Sequence, residues 1–125
     1  QVQYKKIADT KTFIIVDSGM HHLIRPTLYQ SYQHIANTTL REGEEVVDVV
    51  GPICESGDFF AKDRLLTKTE EGDYLAILSA GAYGMAMASH YNSHPLPAEV
   101  LVEGSSFRLI RKRESYEDLI AKELV

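Results

Sequence analysis

The residues with the clearest chemical potential lie in a short segment that contains the only cysteine of the chain. Residues 51–58 read GPICESGD, which places Cys54 and the carboxylate of Glu55 side by side between glycines. Loops of this composition are usually exposed, and binding and catalytic residues concentrate on them. A thiol there can act as a nucleophile or a proton donor, depending on its pKa and neighbours. The alternative is that Cys54 is a small buried hydrophobe, the commoner role of an unpaired cysteine.

Two further segments carry groups suited to anionic ligands. Arg25 precedes Pro26, and Tyr29 follows four residues after Arg25. A fixed arginine can hold a carboxylate by two parallel hydrogen bonds, and a tyrosine hydroxyl can join it. Residues 81–84 (GAYG) surround Tyr83 with glycines that let the backbone approach a ligand closely. Residue type alone does not distinguish Arg25 from an ordinary surface arginine, or residues 81–84 from an ordinary turn.

The histidines give a weaker indication of metal binding. His90 and His94 have a spacing that can place two ligands on one helix face, but Pro95 follows at once and no glutamate comes after His90. We therefore expect a solvated helix end here, and no metal site.

The apolar pattern predicts strands for most of the chain. Runs rich in β-branched and aromatic residues, bounded by turn residues, fall at 2–7, 12–16, 44–50, 74–79, 98–102 and 107–110. The first two runs are expected to pair as a hairpin, and the last two as another that turns at Gly104. The continuous run at 12–16 (TFIIV) suits a strand buried on both faces.

Helices are predicted to be few and short. Residues 21–32 should form only a helical turn or loop, since Pro26 interrupts a helix. Residues 85–91 suit a short helix, residues 62–67 are ambiguous, and Ser115 should cap a helix at the end of the chain. The expected fold is mainly β, of sandwich or barrel type, with about six strands and one or two short helices.

Composition limits the classes of function. The chain has 125 residues, enough for one domain, and its net charge of -5 argues against a nucleic-acid binder. No run approaches the roughly 20 apolar residues of a membrane helix. A single cysteine excludes an internal disulfide and suits the reducing cytoplasm, so we expect a cytoplasmic protein.

Three segments together resemble a known family. An Arg-Pro-x-Leu-Tyr string begins at Arg25, a Cys-Glu-Ser-Gly-Asp string begins at Cys54, and the Gly-Ala-Tyr-Gly string surrounds Tyr83. In this order they resemble the diaminopimelate decarboxylases, pyridoxal 5'-phosphate (PLP) enzymes of the alanine-racemase fold type. Members of that family join an N-terminal (β/α)8 barrel to a C-terminal β domain. The resemblance implies that residues 1–125 are the C-terminal domain, because a barrel takes about 250 residues, and that the Schiff-base lysine lies in the barrel.

The resemblance also implies roles for the candidate residues. Arg25 and Tyr29 would hold the distal carboxylate of meso-diaminopimelate, and Glu55 would bind its distal ammonium. Cys54 would deliver a proton to the α-carbon after CO2 leaves, which gives L-lysine. Tyr83 would hydrogen-bond the PLP phosphate and lie close to the substrate. In this family the cysteine loop reaches into the active site of the other subunit of a homodimer, whereas the remaining three residues serve their own barrel.

Two alternatives remain open. Decarboxylases of the same fold type that act on ornithine, arginine or carboxynorspermidine also have a cysteine loop at the dimer interface, but usually with an aspartate after the cysteine. Glu55 together with Arg25 favours diaminopimelate. The other alternative is a free-standing β interaction domain, since the chain would hold only half of the active site.

Overall fold

The computed structural model describes residues 1–124, which fall into two compact units. The first unit runs from Gln1 to Ala88, and the second begins at Ser89. Strands predominate in both, so the predicted mainly β class is confirmed.

The first unit, all of which is described, contains six strands and two short helices. These are β1 (Val2–Ile7), β2 (Thr12–Val16), α1 (Arg25–Tyr29), β3 (Ile35–Asn37), β4 (Glu44–Val50), β5 (Phe59–Thr67), β6 (Leu75–Ile77) and α2 (Gly84–Met87). The strands form two sheets, and within residues 1–124 neither sheet closes into a barrel.

The main sheet has the strand order β1-β2-β4-β5. β1 and β2 form the predicted antiparallel hairpin, in which the Ala8 N–H donates to the Lys11 carbonyl at 2.8 Å. β2 runs parallel to β4, with Ile14 opposite Val49, and β4 pairs antiparallel with β5. Parallel neighbours need a long connection, and here that connection carries α1 and β3. The sheet therefore places α1 in its crossover and the cysteine loop in its β4–β5 hairpin.

The hydrophobic core lies on one face of the main sheet. Ile14, Val47, Val49 and Phe60 come from three adjacent strands, and each is at most 2% exposed. Leu23, which precedes α1, belongs to the same cluster. Burying one such side chain stabilises a fold by about 1.5–3 kcal/mol. The packing of Leu23 in the core therefore holds the segment that precedes α1 against the main sheet.

The prediction that residues 12–16 are buried on both faces is wrong. Ile14 and Val16 are buried, whereas Phe13 and Ile15 are only half-buried. β2 has hydrogen-bonded neighbours on both sides, but successive side chains of a strand point to opposite faces, and only one face meets the core.

A buried polar cluster fixes the turn before β6. The Asp73 carboxylate accepts hydrogen bonds from the Arg41 guanidinium at 2.7 and 3.0 Å, from Asn37 Nδ2 at 3.0 Å and from the Glu70 N–H at 2.9 Å. The hydrogen bonds from Arg41, assisted by those from Glu70 and Asn37, hold the pKa of Asp73 well below its usual range. The cluster links the end of β3 and the β3–β4 connection to the β5–β6 connection.

The second unit contains a hairpin and a capped helix. β7 (Glu99–Glu103) pairs antiparallel with β8 (Ser106–Arg111) around Gly104, which has a left-handed φ of 62°. The helix α3 (Tyr116–Ile120) begins with the predicted capping box, because Ser115 Oγ accepts the Asp118 N–H at 3.3 Å and the Ser115 N–H donates to Asp118 Oδ2 at 2.7 Å. Both predicted elements are confirmed.

Several boundaries differ from the sequence prediction. Pro26 does not interrupt a helix but lies in the first turn of α1, where its missing N–H is not needed. The helix predicted at residues 85–91 forms but is shorter: α2 ends at Met87 because Ala88 is extended, and only a separate 3₁₀ turn follows at Tyr91–Ser93. The ambiguous residues 62–67 belong to β5. The described helices number three rather than one or two, and the described strands number eight.

Candidate active site

The cysteine loop, residues 51–58, connects β4 to β5 and alternates buried and exposed positions. Ile53 and Asp58 are buried, whereas Cys54 and Glu55 are exposed. The Gly51 N–H donates to the Asp58 carbonyl at 3.0 Å and closes the base of the loop. Cys54 is therefore not the small buried hydrophobe of the alternative interpretation, and its thiol is open to a reactant.

Hydrogen bonds within the loop hold the two exposed residues in place. The Glu55 N–H donates to the Ile53 carbonyl at 2.8 Å, and the Asp58 N–H donates to the Glu55 carbonyl at 3.0 Å. Glu55 Oε1 accepts the Gly57 N–H at 3.0 Å. These contacts form two consecutive tight turns, so the thiol and the carboxylate are presented by an ordered backbone.

The helix α1 brings Arg25 and Tyr29 together. The two residues are four apart, and this separation places them on the same face one helical turn apart. Arg25 is half-buried, and the Tyr29 side chain is exposed. The helix ends at Gln30, which has a left-handed φ of 54° and donates its N–H to the Arg25 carbonyl. A guanidinium and a phenol on one face can bind the two oxygens of a carboxylate.

Tyr83 lies against the same arginine. The Arg25 Cζ atom is 5.5 Å from the centroid of the Tyr83 ring, a cation–π distance. Tyr83 precedes α2 and has a left-handed φ of 64°, which is unfavourable for a residue with a large side chain. Strained backbone of this kind is often found at functional sites. Arg25, Tyr29 and Tyr83 thus form one group, which we call the α1 group.

A hydrogen bond connects the helix α1 to the cysteine loop. The Thr27 hydroxyl, on α1, donates to the Gly57 carbonyl in the loop. A Cβ atom on Gly57 would lie 2.9 Å from the Thr27 methyl, so helix and loop are also in close packing contact. Among residues 1–124, no hydrogen bond joins the Cys54 thiol itself to Arg25, Tyr29 or Tyr83.

Thr27 and Asp58 have no role predicted from the sequence, although the structure places both where the cysteine loop meets α1 and the turn before it. Asp58 belongs to the Cys-Glu-Ser-Gly-Asp string, and that membership is the sequence signal for it. Thr27 is the variable residue of the Arg-Pro-x-Leu-Tyr string, and nothing in the sequence indicates its contact with Gly57.

The remaining polar clusters of the described chain do not form a metal centre. His90 Nε2 lies 2.7 Å from Glu114 Oε2, which also accepts the Leu96 N–H at 2.8 Å. The hydrogen bond from Leu96, followed by the contact with His90, lowers the pKa of Glu114. Within residues 1–124, no group of three histidine, cysteine or acidic side chains is arranged to hold a metal ion. None of the described helices has the length and apolarity needed to cross a membrane.

Comparison with known proteins identifies the class to which this fold and site belong. Residues 1–81 match the family model described as the C-terminal sheet domain of pyridoxal-dependent decarboxylases. This match covers well over half of the chain, and the chain therefore belongs to that family.

Individual relatives show which decarboxylases of this family the chain is similar to. The chain is similar to the diaminopimelate decarboxylase of Aquifex aeolicus, with 55% identity over 125 residues that cover 99% of this chain and 30% of the relative. It superposes on the crystal structure of Methanocaldococcus jannaschii diaminopimelate decarboxylase in complex with L-lysine with a TM-score of 0.96 and 44% identity, covering 99% of this chain and 29% of that one. A lysine/ornithine decarboxylase from Vibrio vulnificus, at 22% identity and a TM-score of 0.66 over 74% of this chain and 26% of that one, shares only the fold. The chain spans about a third of the length of the relatives it matches.

Proposed function

We propose that this chain is the C-terminal part, residues 1–125, of a PLP-dependent decarboxylase that converts meso-2,6-diaminopimelate to L-lysine and CO2. The observation that carries the proposal is that the chain presents an exposed thiol and carboxylate, Cys54 and Glu55, on a hydrogen-bonded loop, and a guanidinium and a phenol, Arg25 and Tyr29, on one face of α1. The similarity to proteins named diaminopimelate decarboxylase supports the choice of substrate.

The charged residues suit a substrate with two amino-acid ends. An enzyme that removes CO2 from one end must hold the other end, or both would react. Arg25 would bind the distal carboxylate through two N–H groups, with the Tyr29 hydroxyl as a further donor, and Glu55 would accept hydrogen bonds from the distal ammonium. A substrate that lacks either distal group would leave a charged side chain without its partner, which weakens binding.

Tyr83 is the residue of this chain that would contact PLP. Its side chain is exposed, so its hydroxyl would be available to hydrogen-bond the cofactor phosphate. PLP supplies the electron sink that stabilises the negative charge left on the α-carbon when CO2 departs. The lysine that binds the cofactor would lie in an N-terminal (β/α)8 barrel.

Cys54 would supply the proton that completes the reaction. Cys54 is exposed, and its thiol would donate the proton to the α-carbon. The donor would act in the barrel of the other subunit of a homodimer, whereas Arg25, Tyr29 and Tyr83 would serve the barrel of their own subunit. Such a dimer has two shared active sites related by a two-fold axis. The proposed compartment is the cytoplasm, where an exposed thiol stays reduced.

A substrate panel on the full-length protein tests the proposal. We expect kcat/KM to be highest for meso-diaminopimelate, with ornithine, arginine and carboxynorspermidine turned over far more slowly. D-lysine, which keeps the configuration of the reacting end and the distal ammonium but has no distal carboxylate, is the matched control and should be decarboxylated far more slowly. Faster turnover of ornithine or arginine would assign the chain to another decarboxylase of the same fold. A native protein that contains no PLP barrel would instead indicate a free-standing interaction domain.

A further inference from the structure

The carboxylate of Asp58 is buried at the base of the cysteine loop and joins two separate segments of the chain. Its Oδ2 atom accepts the N–H of Ile53, inside the loop, at 2.7 Å. Its Oδ1 atom accepts the N–H of Met20, in the turn before α1, also at 2.7 Å. The residue is only 3% exposed. One side chain therefore connects the cysteine loop to the turn that leads into the helix carrying Arg25.

Two glycines pack so closely against this carboxylate that no side chain fits at their positions. A Cβ atom on Gly19 would lie 2.5 Å from Asp58 Oδ1, and one on Gly51 would lie 2.3 Å from Asp58 Oδ2. Neither glycine has a left-handed backbone, so contact with Asp58, and not backbone conformation, excludes a larger residue there. The carboxylate is held from two sides and cannot move without displacing one of these segments.

The backbone carries this constraint to the reactive group. Ile53 immediately precedes Cys54, and its N–H is fixed by Asp58 while its carbonyl accepts the Glu55 N–H at 2.8 Å. The Asp58 backbone bonds both Gly51 and Glu55. Cys54 thus lies between two residues whose backbone positions depend on Asp58.

We propose that Asp58 is a positioning residue, which fixes the backbone of the cysteine loop on both sides of Cys54 and so holds its thiol in place. The inference rests on the proposed function, because the activity that reports it is proton delivery by Cys54. An asparagine has nearly the same size but one acceptor oxygen, so the N–H of Ile53 or of Met20 would face an amide NH2 group. The loop would then lose one of its two attachments.

The first test compares two buried aspartates in the full-length holoenzyme. Asp58→Asn should lower kcat about 10- to 100-fold, the scale expected when a reacting group is misplaced by up to about 1 Å. Asp48→Asn is the matched control: Asp48 is 5% exposed, lies in β4, and accepts hydrogen bonds from the Asp63 N–H at 2.7 Å and from Lys11 Nζ at 2.9 Å, but within residues 1–124 none from the cysteine loop. The control should lower Tm and leave kcat near that of the unmodified enzyme. Equal kcat for the two variants contradicts the proposal.

A double-mutant cycle separates positioning from a general loss of structure. If Asp58 acts through Cys54, then adding Asp58→Asn to Cys54→Ala should lower kcat by no more than about 2-fold, since the group being positioned is already absent. Losses that multiply in the double variant would show that Asp58 acts independently and would overturn the inference. If Cys54→Ala alone keeps normal kcat, the proposed role of Cys54 fails first, and this result is visible in the single variant.

Gly19→Ala provides a second variant that keeps the carboxylate. The added methyl group lies outside the cysteine loop and presses on Asp58 Oδ1. We expect a fall in kcat that again disappears in the Cys54→Ala background, with PLP still bound. A Gly19→Ala enzyme that keeps the PLP absorbance and full kcat would show that displacing the Asp58 carboxylate has no effect on Cys54.

Discussion

At the scale of single residues, the site depends on alternation between buried and exposed side chains. Ile53 and Asp58 are buried, and their hydrogen bonds hold the backbone of the loop on which Cys54 and Glu55 are exposed. Arg25 is half-buried, and its guanidinium lies over the Tyr83 ring. Each reactive or charged group therefore has a neighbour that restricts it, and pre-organisation of this kind reduces the entropy lost when a ligand binds.

Arg25→Ala in the full-length enzyme should mainly weaken substrate binding. Loss of a two-point hydrogen-bonded contact to a carboxylate should cost about 2–4 kcal/mol in kcat/KM for diaminopimelate. Steady-state kinetics with PLP content as a control would measure this effect. Arg108→Ala, which removes an exposed arginine of β8, is the matched control and should behave as the unmodified enzyme. If kcat/KM for diaminopimelate barely changes in Arg25→Ala, Arg25 is not the anchor of the distal carboxylate.

Residue types in short strings identified the candidate residues, but not the contacts that hold them. Cys54, Glu55 and Arg25 stand out because thiols, carboxylates and guanidinium groups perform recognisable chemistry. The roles of Asp58 and Thr27 depend on Met20 and Gly57, which are 38 and 30 residues away along the chain. Local sequence carries no information on such distant pairs, so only the folded structure indicates them.

At the scale of elements, the connections of the main sheet determine where the site forms. The parallel pairing of β2 with β4 requires a crossover, which carries α1, and the antiparallel pairing of β4 with β5 leaves the cysteine loop at the hairpin end. The Thr27 hydroxyl then bonds the loop to α1. Two functional groups that are distant in sequence are thereby placed next to each other by three strands.

The buried cluster around Asp73 should make stability depend on pH. Arg41 keeps the pKa of Asp73 lower in the folded protein than in the unfolded chain, so the ionised carboxylate stabilises the fold above about pH 4, and this contribution is lost as the pH falls through the folded-state pKa. Asp73→Asn should cost about 1–3 kcal/mol near pH 7. The measurement is Tm of both proteins from pH 7 down to about pH 3, and the gap between them should narrow on acidification.

Asp9→Asn is the control for this experiment, because Asp9 is exposed in the β1–β2 turn and should change Tm little at any pH. A gap between the unmodified protein and Asp73→Asn that stays constant or widens in acid would contradict the assigned role of Asp73.

Elements with a strong local signal were predictable, and those defined by distant partners were not. The strands β1, β2 and β4 and the capping box at Ser115 follow from short patterns. β3 has only three residues, and it is a strand because it pairs with β6, about 40 residues later. The predicted helix at residues 85–91 is too long because periodicity does not show that Ala88 is extended.

At the scale of the whole molecule, the proposed function gives this chain only part of an active site. It corresponds to about 30% of the length of a relative such as that of Aquifex aeolicus. In isolation, the 125 residues should neither decarboxylate diaminopimelate nor form a stoichiometric Schiff base with PLP, since the lysine that binds the cofactor would lie in the barrel. A PLP absorbance band that survives dialysis and disappears on borohydride treatment of the isolated chain would contradict this expectation.

The central claim is that Cys54 completes an active site whose lysine belongs to another subunit. Cys54→Ala should lower kcat about 100-fold or more and leave KM nearly unchanged, because a proton donor acts in the reaction and not in binding. A subunit lacking the barrel lysine should be inactive for a different reason. In a mixed dimer, one active site would then combine the intact lysine of one subunit with the intact Cys54 of the other, and the second site would lack both groups.

The most direct measurement is the activity recovered when Cys54→Ala subunits are mixed with equal amounts of subunits that lack the barrel lysine. Random exchange makes half of the dimers mixed, and each mixed dimer has one intact site, so activity should rise from near zero to about a quarter of that of the unmodified enzyme. Native mass spectrometry would establish that exchange has occurred. If mixed dimers form and the mixture stays as inactive as its parents, Cys54 serves its own subunit and the account of the site is wrong.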